Sequence, residues 1–232
     1  MASSIYEHSN FFSINPRFLI FGFFAAFFSS FGQTFFIALS GPDIRSEFNL
    51  SHGDFGLIYS SATLVSAGLL IWAGRKIDDI DLRYYTSFVC FGLALACLGM
   101  SGVKHAIWLI PMIFGLRFMG QGLLGHISAV SMARYFDQHR GKALSLASLG
   151  YPLGEAVFPS IAVAIIASFG WRQMWAEIGI MLLVVLVPFM LWLLKGHSER
   201  HRLLEKSTGT THKSTKLYGW TRAQVLKDAR FY

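Results

Sequence analysis

The chain has 232 residues, of which 53% are hydrophobic and only 14% charged, and its mean hydropathy is +0.48. A soluble domain usually carries about 25% charged residues, so this composition excludes a protein surrounded by water on all sides. The formal net charge of +7 sits in the loops and tail with the side-to-side bias of a membrane protein, which argues against nucleic acid as a partner.

In chain order, residues 1–16 read as a polar N-terminal segment. Six apolar stretches follow within residues 17–194: Arg17–Ser40, Asp54–Ala73, Tyr84–Gly102, Ile107–Ala133, Ala143–Phe169 and Gln173–Leu194. About 20 apolar residues at 1.5 Å rise cross the ~30 Å hydrocarbon core of a bilayer. Backbone groups in lipid must bond within their own segment, so the stretches are predicted as helices. The first is too long for the apolar core of a secretory signal, and no small-residue cleavage site follows it.

The cations then orient the bundle. Arg17, Arg75, Lys76, Arg83, Arg134, Arg140 and Lys142 fall on one side, with the tail from Lys195 to Arg230. Only Arg45, Lys104 and Arg172 fall on the other. This bias predicts both termini in the cytoplasm, and the location expected is the plasma (inner) membrane. Cys90 and Cys97, seven residues apart on one face of the third stretch, read as small packing residues. No cluster of His, Cys and carboxylate has metal-ligand spacing, and no nucleophile–base set points to an enzyme or a cofactor.

Residues 195–219 are polar and basic, as in a flexible linker. Residues 220–232 turn amphipathic around Trp220, Val225 and Leu226 and end in Phe231-Tyr232, which reads as the start of a seventh span. The chain is therefore expected to be a truncated piece of a longer protein.

Several loop motifs carry a resemblance. Gly74-Arg75-Lys76-Ile77-Asp78, followed by Asp81 and Arg83, resembles the cytoplasmic loop signature of the major facilitator superfamily (MFS). Its usual second glycine is replaced here by Asp81. Phe48-Asn49-Leu50-Ser51 before Gly56 is similar to the family's lead-in to its second helix, and Gly170-Trp171-Arg172 to its tight turn between helices five and six. Arg117, Gly120, Gln121 and Gly122 resemble its fourth-helix motif. Gly141, Gly150 and Gly154 fit its antiporter motif, except that Glu155 stands where proline is expected. Arg134-Tyr135-Phe136 with Arg140-Gly141-Lys142-Ala143 is similar to the oxalate/formate antiporter and monocarboxylate-transporter-like branch.

The resemblance implies an all-α membrane fold: six transmembrane helices in an inverted 3+3 repeat, half of a twelve-helix transporter. Phe136, Arg140 and Gly141 weakly echo Phe48, His52 and Gly53. It also implies a conformational loop at Gly74, Asp78 and Arg83, alternating access with a missing C-terminal six-helix half, and substrate contacts in the first span at Gln33 and Thr34.

Within the spans, ionisable and amide groups are costly and mark sites. Arg117 lies near the bilayer midplane, where it costs ~2.5–3.5 kcal/mol on insertion scales. It reads either as a clamp for a carboxylate substrate or as a structural ion pair. Glu155 lies at comparable depth and is the candidate proton-coupling residue, or a fixed partner of Arg117. Gln121 and His126 are the remaining deep polar groups. Five residues apart on an ideal helix, they point about 140° away from each other, so both are not expected to face one cavity. Small residues at Ala156, Ser160, Ala164 and Ser168, with Gly150 and Gly154, predict close helix approach, and Pro152 and Pro159 predict a bend.

The function expected is secondary transport of a small solute, an organic anion, across the lipid bilayer. The alternatives are a non-transporting membrane scaffold or regulator from a truncated gene, and a six-helix carrier that works as a homodimer.

Overall fold

The computed structural model describes residues 15–136 and 139–197, without the Asp78 side chain. All the described elements are helical. Six helices are long and apolar enough to cross a membrane, and they are numbered here as spans: Pro16–Leu39 (span 1), His52–Ala73 (span 2), Leu82–Ser101 (span 3), Ala106–Tyr135 (span 4), Arg140–Phe169 (span 5) and Trp171–Leu193 (span 6). The protein is an all-α, integral multi-pass membrane protein. All six spans lie in one compact unit, Met1–Lys195. The second, Gly196–Tyr232, falls almost wholly outside the described residues, as do the expected linker after residue 197 and the amphipathic segment.

Local chemistry sets where spans begin and end. Ser51 caps span 2: its hydroxyl accepts from the Asp54 N–H at 3.0 Å, and the Asp54 carboxylate accepts from the Ser51 N–H at 3.0 Å. Asn49 sits in the left-handed region, φ 51°, and closes the short helix Gly41–Phe48. Asp81 starts span 3 by accepting from the Arg83 N–H at 2.8 Å. The departure from the family's second glycine is thus a helix cap. Gly170, φ 85° and ψ 164°, makes the turn between spans 5 and 6 in a region only glycine occupies without strain.

Three interruptions were not visible in the sequence pattern. Span 1 narrows to a 3-10 turn at Ser29–Gly32 and restarts at Thr34. Ser29 Oγ donates to the Ala26 carbonyl at 2.6 Å, a back-bond that bends helices. Span 4 widens into a π-helix over Leu116–Leu124, and span 6 does so over Leu182–Leu186. The second abuts Pro188, which has no N–H for the ordinary i→i−4 bond. Pro159, by contrast, lies inside the unbroken helix Gly150–Phe169, and the discontinuity in span 5 is at Leu149.

Packing is closest where glycines face neighbouring backbones. Spans 1 and 4 cross at Gly32 and Gly120: a methyl on Gly32 would lie 2.1 Å from the Leu116 carbonyl oxygen. Span 5 meets span 1 through Gly150, where a methyl would lie 2.4 Å from the Phe23 carbonyl, and through Gly154. The ladder Ala156, Ser160, Ala164 and Ser168 does not take part. All four are exposed, so the close approach predicted for span 5 is made by its glycine face alone. Cys90 and Cys97 are free thiols and fully buried. Spans 2 and 5 are the least covered, with 11% and 17% of their apolar windows buried, against 56% for span 1.

At the end of the bundle where spans 3 and 6 meet, Arg172 ties three segments. It donates to Glu47 at 2.5 Å and to the Ser101 carbonyl at 2.8 Å, while Trp171 Nε1 donates to the other Glu47 oxygen at 2.9 Å. The Arg172 guanidinium holds the Glu47 carboxyl below the usual carboxylate range.

Candidate functional site

The break in span 1 creates the site. In an uninterrupted helix the Phe36 N–H would bond to the Gly32 carbonyl, four residues back. Gln33 is extended instead, ψ 155°, and the Phe36 N–H turns to the Gln33 carbonyl at 3.2 Å, which also accepts its ordinary donor, the Ile37 N–H, at 3.2 Å. The Gly32 carbonyl is left for another donor, and Arg117 takes it.

Arg117 projects from the π-helical part of span 4, about 17 Å from that span's start at 1.5 Å per residue. Its Nη1 donates to the Gly32 carbonyl at 3.3 Å, to Thr34 Oγ1 at 3.2 Å and to Gln121 Oε1. Tyr59 of span 2 completes the group. Its hydroxyl donates to Thr34 Oγ1 at 2.8 Å, and its ring lies 5.5 Å from the guanidinium carbon. All of the guanidinium's polar contacts are to neutral groups through one nitrogen. No carboxylate pairs with it among the described residues, so its positive charge is undiminished. Thr34 and Gln121 are exposed and Arg117 half-buried, so the group opens on one side of the bundle.

The structure thus gathers three of the five residues singled out for binding, Arg117, Thr34 and Gln121. Gln33 adjoins them in the chain as the cap of the restarted helix, half-buried. His126 lies elsewhere: its Nε2 donates to the Gly74 carbonyl at 3.0 Å. The Tyr85 hydroxyl donates to the adjacent Ala73 carbonyl at 2.9 Å, so His126 and Tyr85 together satisfy the end of span 2. Gln121 and His126 do serve different places, although the ideal-helix angle does not apply across a π-helical segment.

Glu155 is exposed on span 5 and makes no hydrogen bond or ion pair among the described residues. It does not pair with Arg117. In the loop after span 2, Gly74 has ordinary right-handed helical angles, φ −58° and ψ −28°. What it needs is room: a methyl there would lie 2.9 Å from the Leu70 carbonyl and 3.3 Å from His126 Nε2. Arg83 begins span 3 and its backbone N–H meets Asp81, while the Asp78 side chain lies outside the described residues.

Two polar groups escaped the sequence reading. Tyr59 carries no signal, because nothing in one sequence pairs span 2 with Thr34. Glu177 carries a clear one, a carboxylate within an apolar span, the same reason that marks Glu155.

Comparison with known proteins agrees with this architecture. The sequence profile of the Major Facilitator Superfamily matches residues 22–231. An uncharacterized 38 kDa protein in the 23S RNA operon of Thermoproteus tenax is 33% identical over 145 residues, 59% of this chain and 38% of that protein. A probable sulfoacetate transporter of Cupriavidus necator is 24% identical over 62% of this chain and 33% of its own length. The hexuronate transporter of Bacillus subtilis is 23% identical over 67% of this chain and 36% of its own. The chain therefore spans little more than a third of these relatives. No solved structure gives a significant match.

Proposed function

The chain belongs to the Major Facilitator Superfamily, and from that membership we propose that it acts as the N-terminal six-helix half of a secondary transporter for a small organic anion. The observation that carries the reading is the unneutralised guanidinium of Arg117, held deep in span 4 by neutral acceptors. A cation placed in lipid at such cost and left unpaired suits an anionic group brought by the substrate. Arg117 spends Nη1 on the protein, so the Nη2 and Nε side is left for a carboxylate or sulfonate, with Thr34, Gln121 and Gln33 for neighbouring hydroxyls. Sulfoacetate and hexuronates, named for two relatives, carry such groups, as do the substrates of the oxalate/formate and monocarboxylate-like branch.

Alternating access requires a second bundle. The exposed faces of spans 2 and 5 suit docking of a C-terminal six-helix half, with substrate between the halves. In this reading the six spans form an inverted 3+3 repeat, residues 195–219 link the halves, and residues 220–232 lead into a seventh span. Both termini are cytoplasmic, at the plasma membrane. Glu155 carries the coupling proton in this reading, which its exposure on span 5 and lack of a fixed partner among the described residues support. His126 serves the loop of Gly74, Asp78 and Arg83 rather than the substrate.

Ligand-induced thermal stabilisation of the detergent-solubilised chain tests the binding step, since a ligand at 100 times its Kd stabilises by about 2.7 kcal/mol. Sulfoacetate, galacturonate and oxalate are expected to raise the unfolding temperature of the wild type and not of Arg117→Gln. Stabilisation by neutral sugars alone, or an unchanged anion response in Arg117→Gln, overturns the reading.

A further inference from the structure

We propose that spans 1, 5 and 6 form a second binding site, separate from Arg117, for an alkylammonium cation. A cavity of about 240 Å³ lies between these spans, lined by Phe31, Phe36, Phe158, Ile161, Ile178 and Glu177 among others. Phe158, Ile161, Ala162 and Ile165 follow i, i+3, i+4, i+7 spacing, so they share one face of span 5, and all four line the cavity. Phe158 and Ala162 are only 8% and 2% exposed, yet Ile161 beside them is 53% exposed. The helix face turns inward, and the space in front of Ile161 is not filled.

The walls have a particular chemistry. The ring centroids of Phe31 and Phe158 are 4.4 Å apart, those of Phe31 and Phe36 5.0 Å, and those of Phe36 and Phe158 6.3 Å. Three aromatic rings thus cluster at one cavity, and among the described residues the only charged group lining it is Glu177. Glu177 lies six residues into span 6, about 9 Å along the helix from Trp171. Gln173 Nε2 donates to its Oε1 at 3.2 Å, and Oε2 has no partner among the described residues. Glu177 is half-buried at the cavity, and a carboxylate within a membrane span that has no counter-charge among the described residues calls for one. A small cation with an apolar skin supplies one: aromatic rings attract it electrostatically and accept its methyl groups, while water-loving ammonium ions are excluded.

The trimethylammonium group fits this description, whether on a free amphiphile or on a choline lipid. The full chain in phosphatidylglycerol nanodiscs, which contain no ammonium headgroup, is the test system. Binding of radiolabelled hexyltrimethylammonium is compared with that of its uncharged carbon isostere. The wild type is expected to bind the cation roughly tenfold more tightly than Glu177→Gln, a factor within the range of a desolvated cation–aromatic and charge contact. Phe158→Leu, which keeps bulk and removes the ring, is expected to weaken the cation several-fold and leave the isostere unchanged. Loss of binding in phosphatidylcholine nanodiscs identifies the lipid headgroup as occupant; equal binding in both identifies a free amphiphile. Equal affinity for cation and isostere, or unchanged cation binding in Glu177→Gln, overturns the proposal. Because Arg117→Gln leaves this cavity untouched, failure here is distinct from failure of the anion site.

Discussion

Replacing Gly32 by alanine tests whether the crossing of spans 1 and 4 holds the bundle together. The added methyl would meet the Leu116 oxygen at 2.1 Å, the Gln121 nitrogen at 2.5 Å and the Gly120 Cα at 2.8 Å, where ordinary contact begins at 3.4 Å. All three are backbone atoms, so no side chain can swing aside, and the helices must part by more than an ångström. Overpacking of this kind costs about 1–3 kcal/mol. At roughly 2–4 °C per kcal/mol for a domain of this size, the unfolding temperature is expected to fall by roughly 2–12 °C. The assay is built into the protein. Its two cysteines, Cys90 and Cys97, are free and fully buried in span 3, so a fluorogenic thiol reagent reports unfolding of the purified chain. Gly68→Ala is the control, because nothing lies within 4 Å of a methyl there. If Gly32→Ala unfolds at the wild-type temperature, spans 1 and 4 do not cross at this glycine and the geometry of the Arg117 site is wrong.

Two further perturbations read other parts of the bundle. Gly170→Ala keeps open space around the new methyl but forces alanine to φ 85°, and a loss of about 1–3 kcal/mol is expected in the same thiol assay. The Glu47–Arg172 pair gives a pH signature: the folded carboxyl titrates below its ordinary 4.5, so its stabilisation is present above about pH 4.5 and disappears as pH falls through the lower folded value. The pair is partly exposed, so wild type and Glu47→Gln should differ by about 0.2–1 kcal/mol near neutrality. That gap is expected to close in acid, and a gap independent of pH would remove Arg172 as the cause.

The spans were legible because hydrophobic length is a property of contiguous sequence. Span 3, read as Tyr84–Gly102, runs Leu82–Ser101, and span 6, read as Gln173–Leu194, runs Trp171–Leu193. Each starts two residues earlier than read, at Leu82 and Trp171, because the residues before them, Asp81 and Gly170, set where the helix begins and an apolar count does not register them. The irregular turns were hidden for a different reason. The span 1 break depends on Gly120 arriving opposite Gly32, a fact about two segments 88 residues apart. Small residues on span 5 show the same limit. Two interleaved ladders, one from Gly150 and Gly154 and one from Ala156 to Ser168, have the same period, and only the tertiary arrangement chooses which faces span 1. Arg117 stood out because its cost in lipid is a property of the residue itself, whereas Tyr59 matters only through its neighbour.

The two irregularities that meet at this site explain each other. A regular span 1 would consume the Gly32 carbonyl in its own ladder, and Arg117 would need a carboxylate to be tolerated so deep in the bundle. A carboxylate would cancel the charge and leave nothing for a ligand. Breaking span 1 at Gln33 instead supplies a carbonyl dipole, and Thr34, Gln121 and the Tyr59 ring add more partial negative charge. Dipoles lower the cost of holding the guanidinium without neutralising it. The backbone bond surrendered in span 1 is therefore what lets span 4 keep a full positive charge midway along an apolar helix.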